Sequence, residues 1–477
     1  MENSQPGSWR RGSNGELLLK PGIDLCNQLG FAGAVLGPNR SLKSQNNYLI
    51  APRLGIAWDP MGDGKTAVRA GFGMFYLRDA VGPLELGTEV APFVTNVSFN
   101  RSLDTPPTGL IASGTPSRST ALNNKNPYTF QYNLTLEREL FPNTKLELGY
   151  VGNGSRHLVA FSDVNPIPLS QRVTYAETQA NNLRPFGTGN WGSIFQRQWS
   201  AVSNYNALQA LFRTRIKAVD AQFAYTWSKT LSNTDITDSS GSSNTLNTYL
   251  DALNHHLDYG PAQINRPHMF VGNIVYNAPT LAGQNGFIRT ALGSWQLSSI
   301  LTYTSGPSLT VLAGDVSGSA PGGIQGTGFT SGERPNRVPG QSCRSSSGGL
   351  NWINPAAFTL DHYVLGSNPT SPRGVCLGPG NAQTDFSVAK NFKITERVTA
   401  KFSMDFFNLF NKSQFIATAM NLSLASGATL CTAANPCPGY ANDTLQWNPS
   451  TDLQSDFGVN SSARDARQIQ YGLRIEF

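Results

Sequence analysis

The sequence predicts an all-β protein, an antiparallel transmembrane β-barrel with short turns at one end and long loops at the other. Three observations predict it. Charged residues make up only 14% of the 477 residues, against 47 Gly and 29 Pro, a balance that suits loop-rich β chains and not helical ones. Apolar and polar side chains alternate with period two in one segment after another, which gives each strand one apolar and one polar surface. The links between these segments are alternately short and long, as in barrels that cross a membrane with strands.

Mean hydropathy is −0.27. No apolar run reaches the roughly 18 residues of a membrane helix, so any membrane contact must come from strands. The net charge of +6, from 36 Lys and Arg against 30 Asp and Glu, is spread thinly. It forms no basic block or nucleic-acid module, and no nucleic-acid partner is expected.

Residues 1–50 read as a partial strand or loop remnant. Leu17-Leu18-Leu19 and Phe31 to Leu36 are short apolar pieces among Gly, Pro and Asn. Met1-Glu2-Asn3-Ser4-Gln5 has no basic region followed by an apolar one, so an export signal is expected upstream.

Residues 51–477 read as one barrel domain. Leu54, Ile56 and Trp58 form the first apolar set, followed by Val68, Ala70, Phe72, Met74 and Tyr76. Tyr128, Phe130, Tyr132, Leu134 and Leu136 come next, then Leu146, Leu148 and Tyr150. Further sets are Leu208, Ala210 and Phe212; Ala221, Phe223, Tyr225 and Trp227; and Phe270, Ile274 and Tyr276. After these come Trp295, Leu297, Leu301 and Tyr303; Phe386, Val388 and Phe392; and Val398, Ala400, Phe402, Met404 and Phe406, the last opposed by Lys401 and Asp405. The final set, Ile469, Tyr471, Leu473, Ile475 and Phe477, completes eleven candidate strands.

Four links are tight: Met61 to Gly64, Phe141 to Asn143, Ile216 to Ala218 and Ile394 to Glu396. Five are long: Arg78 to Asn126, Gly152 to Asn204, Leu231 to Pro267, Gly306 to Gln383 and Asn411 to Ala466. The link from Ala278 to Thr290 is intermediate and falls where a short turn is due. Long structureless links count against a compact soluble domain. With Phe477 ending on the periplasmic side, each long link is extracellular and each short one periplasmic. Trp58, Tyr76, Tyr128, Tyr150, Trp227, Tyr276, Trp295, Tyr303 and Phe477 are then placed to form the interfacial girdles. A soluble sandwich or propeller would need regular short loops or a blade-length repeat, and the sequence has neither.

Several segments together resemble a family. Ala51-Pro52-Arg53-Leu54-Gly55-Ile56-Ala57-Trp58-Asp59-Pro60 and Gly62-Asp63-Gly64-Lys65-Thr66-Ala67-Val68-Arg69-Ala70-Gly71-Phe72-Gly73 are similar to the barrel of the Oar-like TonB-dependent receptors. So are Asn126-Pro127-Tyr128, Leu136-Glu137-Arg138-Glu139-Leu140, Asp258-Tyr259-Gly260-Pro261, Arg266-Pro267-His268, Trp352 to Phe358 and Phe406-Phe407-Asn408-Leu409-Phe410-Asn411. The resemblance covers about Tyr48 to Phe477. It implies a bacterial outer-membrane receptor that imports a nutrient with energy passed on by TonB.

Such receptors close with roughly 22 strands around a plug. The eleven strands here therefore read as the C-terminal half of a barrel, and TonB would be reached only through a plug region missing from this chain. The last residues also resemble the signal read by the barrel-assembly machinery, carried by Gln470, Gly472, Ile475 and Phe477. Outer-membrane lipid and that machinery are the expected partners. The second functional class is a surface, adhesion or passive porin-like protein.

No enzyme and no cofactor is expected. Gly62-Asp63-Gly64-Lys65-Thr66 has part of a phosphate-loop spacing, but Asp59 stands where the first Gly is required and a strand follows. Asp-Gly makes a hairpin turn the better reading. His255, His256 and Asp258 lack further ligands nearby, and Asp235 and Asp238 lack the Gly of a calcium loop. Cys431 and Cys437 share one predicted extracellular loop, and Cys343 and Cys376 share another. They are candidate disulfides in an oxidising compartment. A metal site at Cys431 and Cys437 is the competing reading, and Cys26 is left over. The ligand itself is not readable from the loops.

Overall fold

The computed structural model describes residues 10–11, 17–18, 48–77, 118–121, 125–178, 180–185, 193–234, 249–281, 283, 285–314, 333–347, 349–395, 398–417 and 420–477. Eleven strands form one continuous sheet. They are β1 (Arg53–Trp58), β2 (Thr66–Tyr76), β3 (Tyr128–Phe141), β4 (Thr144–Asp163), β5 (Phe195–Ile216) and β6 (Val219–Ser232). The rest are β7 (His268–Asn277), β8 (Trp295–Thr304), β9 (Asn381–Lys393), β10 (Thr399–Phe407) and β11 (Gln468–Glu476). Every strand pairs antiparallel with its neighbours in sequence, so the sheet is a pure meander from β1 to β11. All eleven strands expected from the alternation are present.

The register carries one apolar face across the whole sheet. Ile56, Ala70, Leu134, Tyr150, Leu208 and Trp227 lie in a single cross-strand row over β1 to β6. Val219, Tyr276, Leu297, Val388, Met404 and Tyr471 continue the face to β11. The opposite face carries rows such as Arg69, Thr135, Gly149, Gln209 and Thr226. Because the side-chain period is two, a slip of one residue in any pair would turn a whole apolar set onto the polar face.

The short links all lie at one end. In the β1–β2 turn the Asp59 carboxylate accepts the backbone N–H groups of Met61, Gly62 and Gly64 at 3.1, 2.9 and 2.8 Å. Gly62 and Gly64 have φ of 65° and 69°, a region that glycine enters without cost. The carboxylate is held below its usual range, first by the Gly64 N–H. The β3–β4 and β5–β6 turns pass through Asn143 and Lys217, with φ of 61° and 50°. In the β9–β10 turn, Val398 accepts hydrogen bonds from Ile394 and Thr395; Glu396 lies outside the described residues.

The other end differs from the sequence expectation in two ways. First, the link expected from Gly152 to Asn204 is strand at both of its ends, since β4 runs on to Asp163 and β5 starts at Phe195. Apolar alternation is legible only where lipid requires it, and Gly152-Asn153-Gly154-Ser155-Arg156 shows none once the strand leaves the bilayer. What remains of that link carries the helix α1 (Arg172–Thr178). Second, the described parts of the long links do not trail as loops. They pack into a cap with its own apolar core of Val311, Ile353, Phe358, Leu360, Tyr363, Leu424, Leu445, Trp447 and Phe457, all nearly fully buried. Short ladders stitch the cap, including Leu312–Gly314 alongside Ser423–Ala425 and Thr429–Cys431 against Thr444–Gln446.

Among the described residues β1 and β11 do not pair with each other. Two short segments add to the sheet: Arg118–Thr120 lies parallel to the start of β5, and Gly260–Pro261 pairs with the end of β6. Arg10–Arg11 pairs with Leu17–Leu18 apart from it. Leu19, Cys26 and the Phe31 to Leu36 piece fall outside the described residues. No described helix is long and apolar enough to cross a membrane.

Candidate functional site

Three surfaces are candidates: the polar face of the sheet, the cap, and a cavity at the long-loop end. On the polar face, Glu137 accepts hydrogen bonds from Arg69 at 2.8 Å and Lys145 at 3.2 Å, from the strands on either side. Lys401 donates to Gln296 at 3.0 Å, and Ser387 bonds Asp405. Asp385 accepts Gln383 and the Asn408 backbone N–H, each at 2.9 Å. This wall is polar and partly ion-paired, which suits a water-filled interior.

The cap is tied together by buried ion pairs. Arg172 meets Asp251 at 2.6 Å, Arg184 meets Asp163 at 2.8 Å and Arg334 meets Asp258 at 2.9 Å. Arg334 also donates to the Leu257 and Ser371 carbonyls, so one guanidinium joins two long links. With all three nitrogens donating, Arg334 is the best satisfied of these buried guanidiniums, which favours keeping its charge inside. Asp258 thus holds the cap together, accepting the Leu250 N–H in addition. Its neighbour His255 stacks on Tyr249 with ring centroids 3.7 Å apart. Among the described residues no cluster of three or more His, Cys, Asp or Glu has the geometry to hold a metal. Asp235 and Asp238 lie outside them.

Both cysteine pairs sit in the cap, at Cα separations of 5.6 Å for Cys343 and Cys376 and 5.4 Å for Cys431 and Cys437, and each is joined through sulfur. Cys376 belongs to the cap core, with Cys343 packed against it. Gln470, Gly472 and Ile475 lie on the edge strand β11, with Phe477 99% exposed just beyond it.

The cavity has a volume of about 480 Å³ and is lined by Ala121, Lys125, Tyr128, Arg156, His157, Gln196, Gln198, Trp199, Ser200 and Val202. Its size falls in the range of small-molecule sites. Among the described residues no carboxylate lines it. His157 sits in a bulge of β4 with φ of 56°. Desolvation, then the charges of Lys125 and Arg156, pushes its imidazole below the usual histidine range. This cavity was not legible in the sequence, because its walls come from three separate segments, one of them a bulge.

An apolar face spanning eleven strands, with turns at one end and a cap at the other, needs lipid on that face. The family described as an outer membrane beta barrel domain matches residues 6–470. The chain belongs to that outer-membrane β-barrel family. The sheet of this outer-membrane barrel domain accordingly lies in the bacterial outer membrane, with short periplasmic turns and an extracellular cap. No curated protein matches it in sequence.

Solved structures similar to this barrel domain include the outer membrane transporter YddB from Escherichia coli, at 12% identity and TM-score 0.40, covering 77% of this chain and 38% of that one. The FrpB iron transporter from Neisseria meningitidis is 9% identical with TM-score 0.39, covering 89% and 39%. The ferripyoverdine receptor of Pseudomonas aeruginosa is 9% identical with TM-score 0.36, covering 78% and 30%. The chain spans less than two-fifths of the length of each of these structures.

Proposed function

We propose that this chain is the C-terminal part of the barrel of an Oar-like TonB-dependent receptor, which imports a ligand across the outer membrane. The observation that carries the reading is the junction of an outer-membrane sheet with a large packed cap. A passive pore needs a wall and a constriction, whereas this chain folds two of its longest links into a cored, ion-paired structure outside the bilayer. A rigid extracellular surface of that kind suits capture. The segment resemblance from Ala51 to Asn411 supports the receptor subtype. An eleven-strand sheet whose edge strands, among the described residues, do not pair with each other fits half of a barrel of about 22 strands.

In this reading the plug and the TonB-contacting segment lie in the part of the receptor that precedes this chain. The polar wall from Arg69 to Asp405 lines the import path. Gln470, Gly472, Ile475 and Phe477 present β11 to the barrel-assembly machinery, and the disulfides Cys343–Cys376 and Cys431–Cys437 form in the oxidising periplasm before the cap is displayed.

The test is uptake in cells that express the full-length protein, across a panel of labelled nutrients, with and without a proton-motive-force uncoupler. Import predicts that deleting the gene abolishes uptake of at least one solute and that the uncoupler does the same. Solute flux that survives the uncoupler unchanged would support the passive-pore alternative and reject import.

A further inference from the structure

One side chain on the membrane face of β9 breaks the apolar pattern around it. Phe386, Val388 and Phe392 face lipid, and by the same register so does Lys390, between Trp295 of β8 and Phe402 of β10. A bare ammonium on a lipid-facing strand is costly. Lys390 is instead 5% exposed, and its Nζ donates to the carbonyls of Ala291 at 3.2 Å and Gly293 at 2.9 Å. It also stands 4.4 Å from the centre of the Trp295 ring.

Those carbonyls end the helix α2 (Gly286–Leu292), which lies in the periplasmic link between β7 and β8. The last turn of a helix leaves carbonyls without partners, and a lysine there satisfies them. Trp295 fastens the same turn, its indole N–H donating to the Ala291 carbonyl at 2.8 Å. Asn285 caps the other end, accepting the Ile288 N–H at 2.9 Å. Gly293 permits the close fold-back, since a Cβ there would lie 2.7 Å from the carbonyl oxygens of both Arg289 and Thr280. The helix is therefore clamped to the lipid side of the wall, at its periplasmic rim.

Its own surface suits that place. Phe287, Ile288, Ala291 and Leu292 share one stripe at helical spacing, with Arg289 bordering it beyond Leu292 and nearly opposite Phe287. Phe287 is 82% and Leu292 63% exposed. At the periplasmic end of β9, the strand whose Lys390 holds the end of α2, Phe392 and Ile394 are exposed apolar side chains as well. We propose that α2 is a membrane foot: its apolar stripe seats at the headgroup–acyl boundary of the inner leaflet of the outer membrane, with Lys390 and Trp295 as its clamp. The occupant of the stripe is phospholipid, because the surface it extends is the lipid-facing band of the barrel.

The full-length protein, reconstituted in phosphatidylethanolamine and phosphatidylglycerol vesicles, provides the test. An NBD fluorophore is attached in turn to Phe287→Cys, Leu292→Cys and Arg289→Cys, with unsubstituted protein as the labelling background and heat-modifiable migration as the check on folding. Lipid bearing a nitroxide near the headgroup should quench the probes at positions 287 and 292 at least about twofold more than the probe at 289, with aqueous iodide giving the reverse order. Strong iodide quenching and no lipid quenching at both positions would overturn the proposal, as would protection at both positions from lipid and iodide alike, the result expected if protein covers the stripe. Lys390→Met should lower lipid quenching at position 287 while the barrel still migrates as folded. Unchanged quenching would remove Lys390 from the clamp.

Discussion

Single residues here obey two different solvents. Phe402 lies on the lipid face of β10, paired with Leu473 and 40% exposed, while Lys401 on the other face donates to Gln296. Phe402→Arg in the full-length protein should weaken assembly by about 2–4 kcal/mol if it sits near the midplane. Lys401→Ala should be mild, since it loses one hydrogen bond to a wetted wall. Heat-modifiable gel migration compares the two, and equal tolerance would reject the assignment of faces. In the cap the rule is burial instead. Asp258→Asn should cost about 3–5 kcal/mol, because it leaves the Arg334 guanidinium buried without its counter-charge. Limited proteolysis of intact cells should then cut the cap, while the barrel band stays heat-modifiable. A cap as resistant as that of the natural protein would show that the pair is dispensable.

At the scale of elements, strands and cap are stabilised separately. Where β4 leaves the bilayer, aromatic rings replace lipid as the covering of backbone. A Cβ added at Gly152 would meet the Tyr132 ring at 2.5 Å, and the Tyr132 and Tyr150 hydroxyls both donate to Asn206, at 2.7 and 2.8 Å. The cap relies on its core and its covalent staples. With Cys431 and Cys437 bridged, a membrane-impermeant maleimide should not label them on intact cells until a reductant is added. Labelling without reductant, in a cap shown to be accessible, would exclude the bridge. Losing the Cys343–Cys376 bridge should matter more than losing the other, since it spans 33 residues against 6 and closes a longer loop.

At the scale of the whole molecule the sheet formed by the described residues has two edges, β1 and β11. In lipid every unpaired backbone N–H or C=O costs several kcal/mol, so a spanning sheet must close. On the half-receptor proposal, residues 1–477 expressed alone should therefore aggregate or be degraded, and adding the proposed preceding half should rescue insertion. Deleting Phe477 from the restored protein should weaken that rescue. A monodisperse, heat-modifiable, pore-forming product from these residues alone would mean that the barrel closes on itself, and the half-receptor reading would fall.

The sequence by itself determined the membrane part. Lipid demands an apolar side chain at every second position, so Leu54 to Trp58, Val398 to Phe406 and Ile469 to Phe477 declare their strands and faces without help from neighbours. Turn chemistry at Asp63-Gly64 and Pro142-Asn143 declared the short end in the same way. Only the tertiary structure decided what lies beyond the bilayer. There no solvent imposes a period, so the outer halves of β4 and β5, the cap core around Phe358 and Trp447, and the pairing of Arg334 with Asp258 across 76 residues left no local pattern. Lys390 is the instructive case. In the sequence it interrupts an apolar alternation, and the reason is a helix nearly a hundred residues earlier that needs its last carbonyls filled.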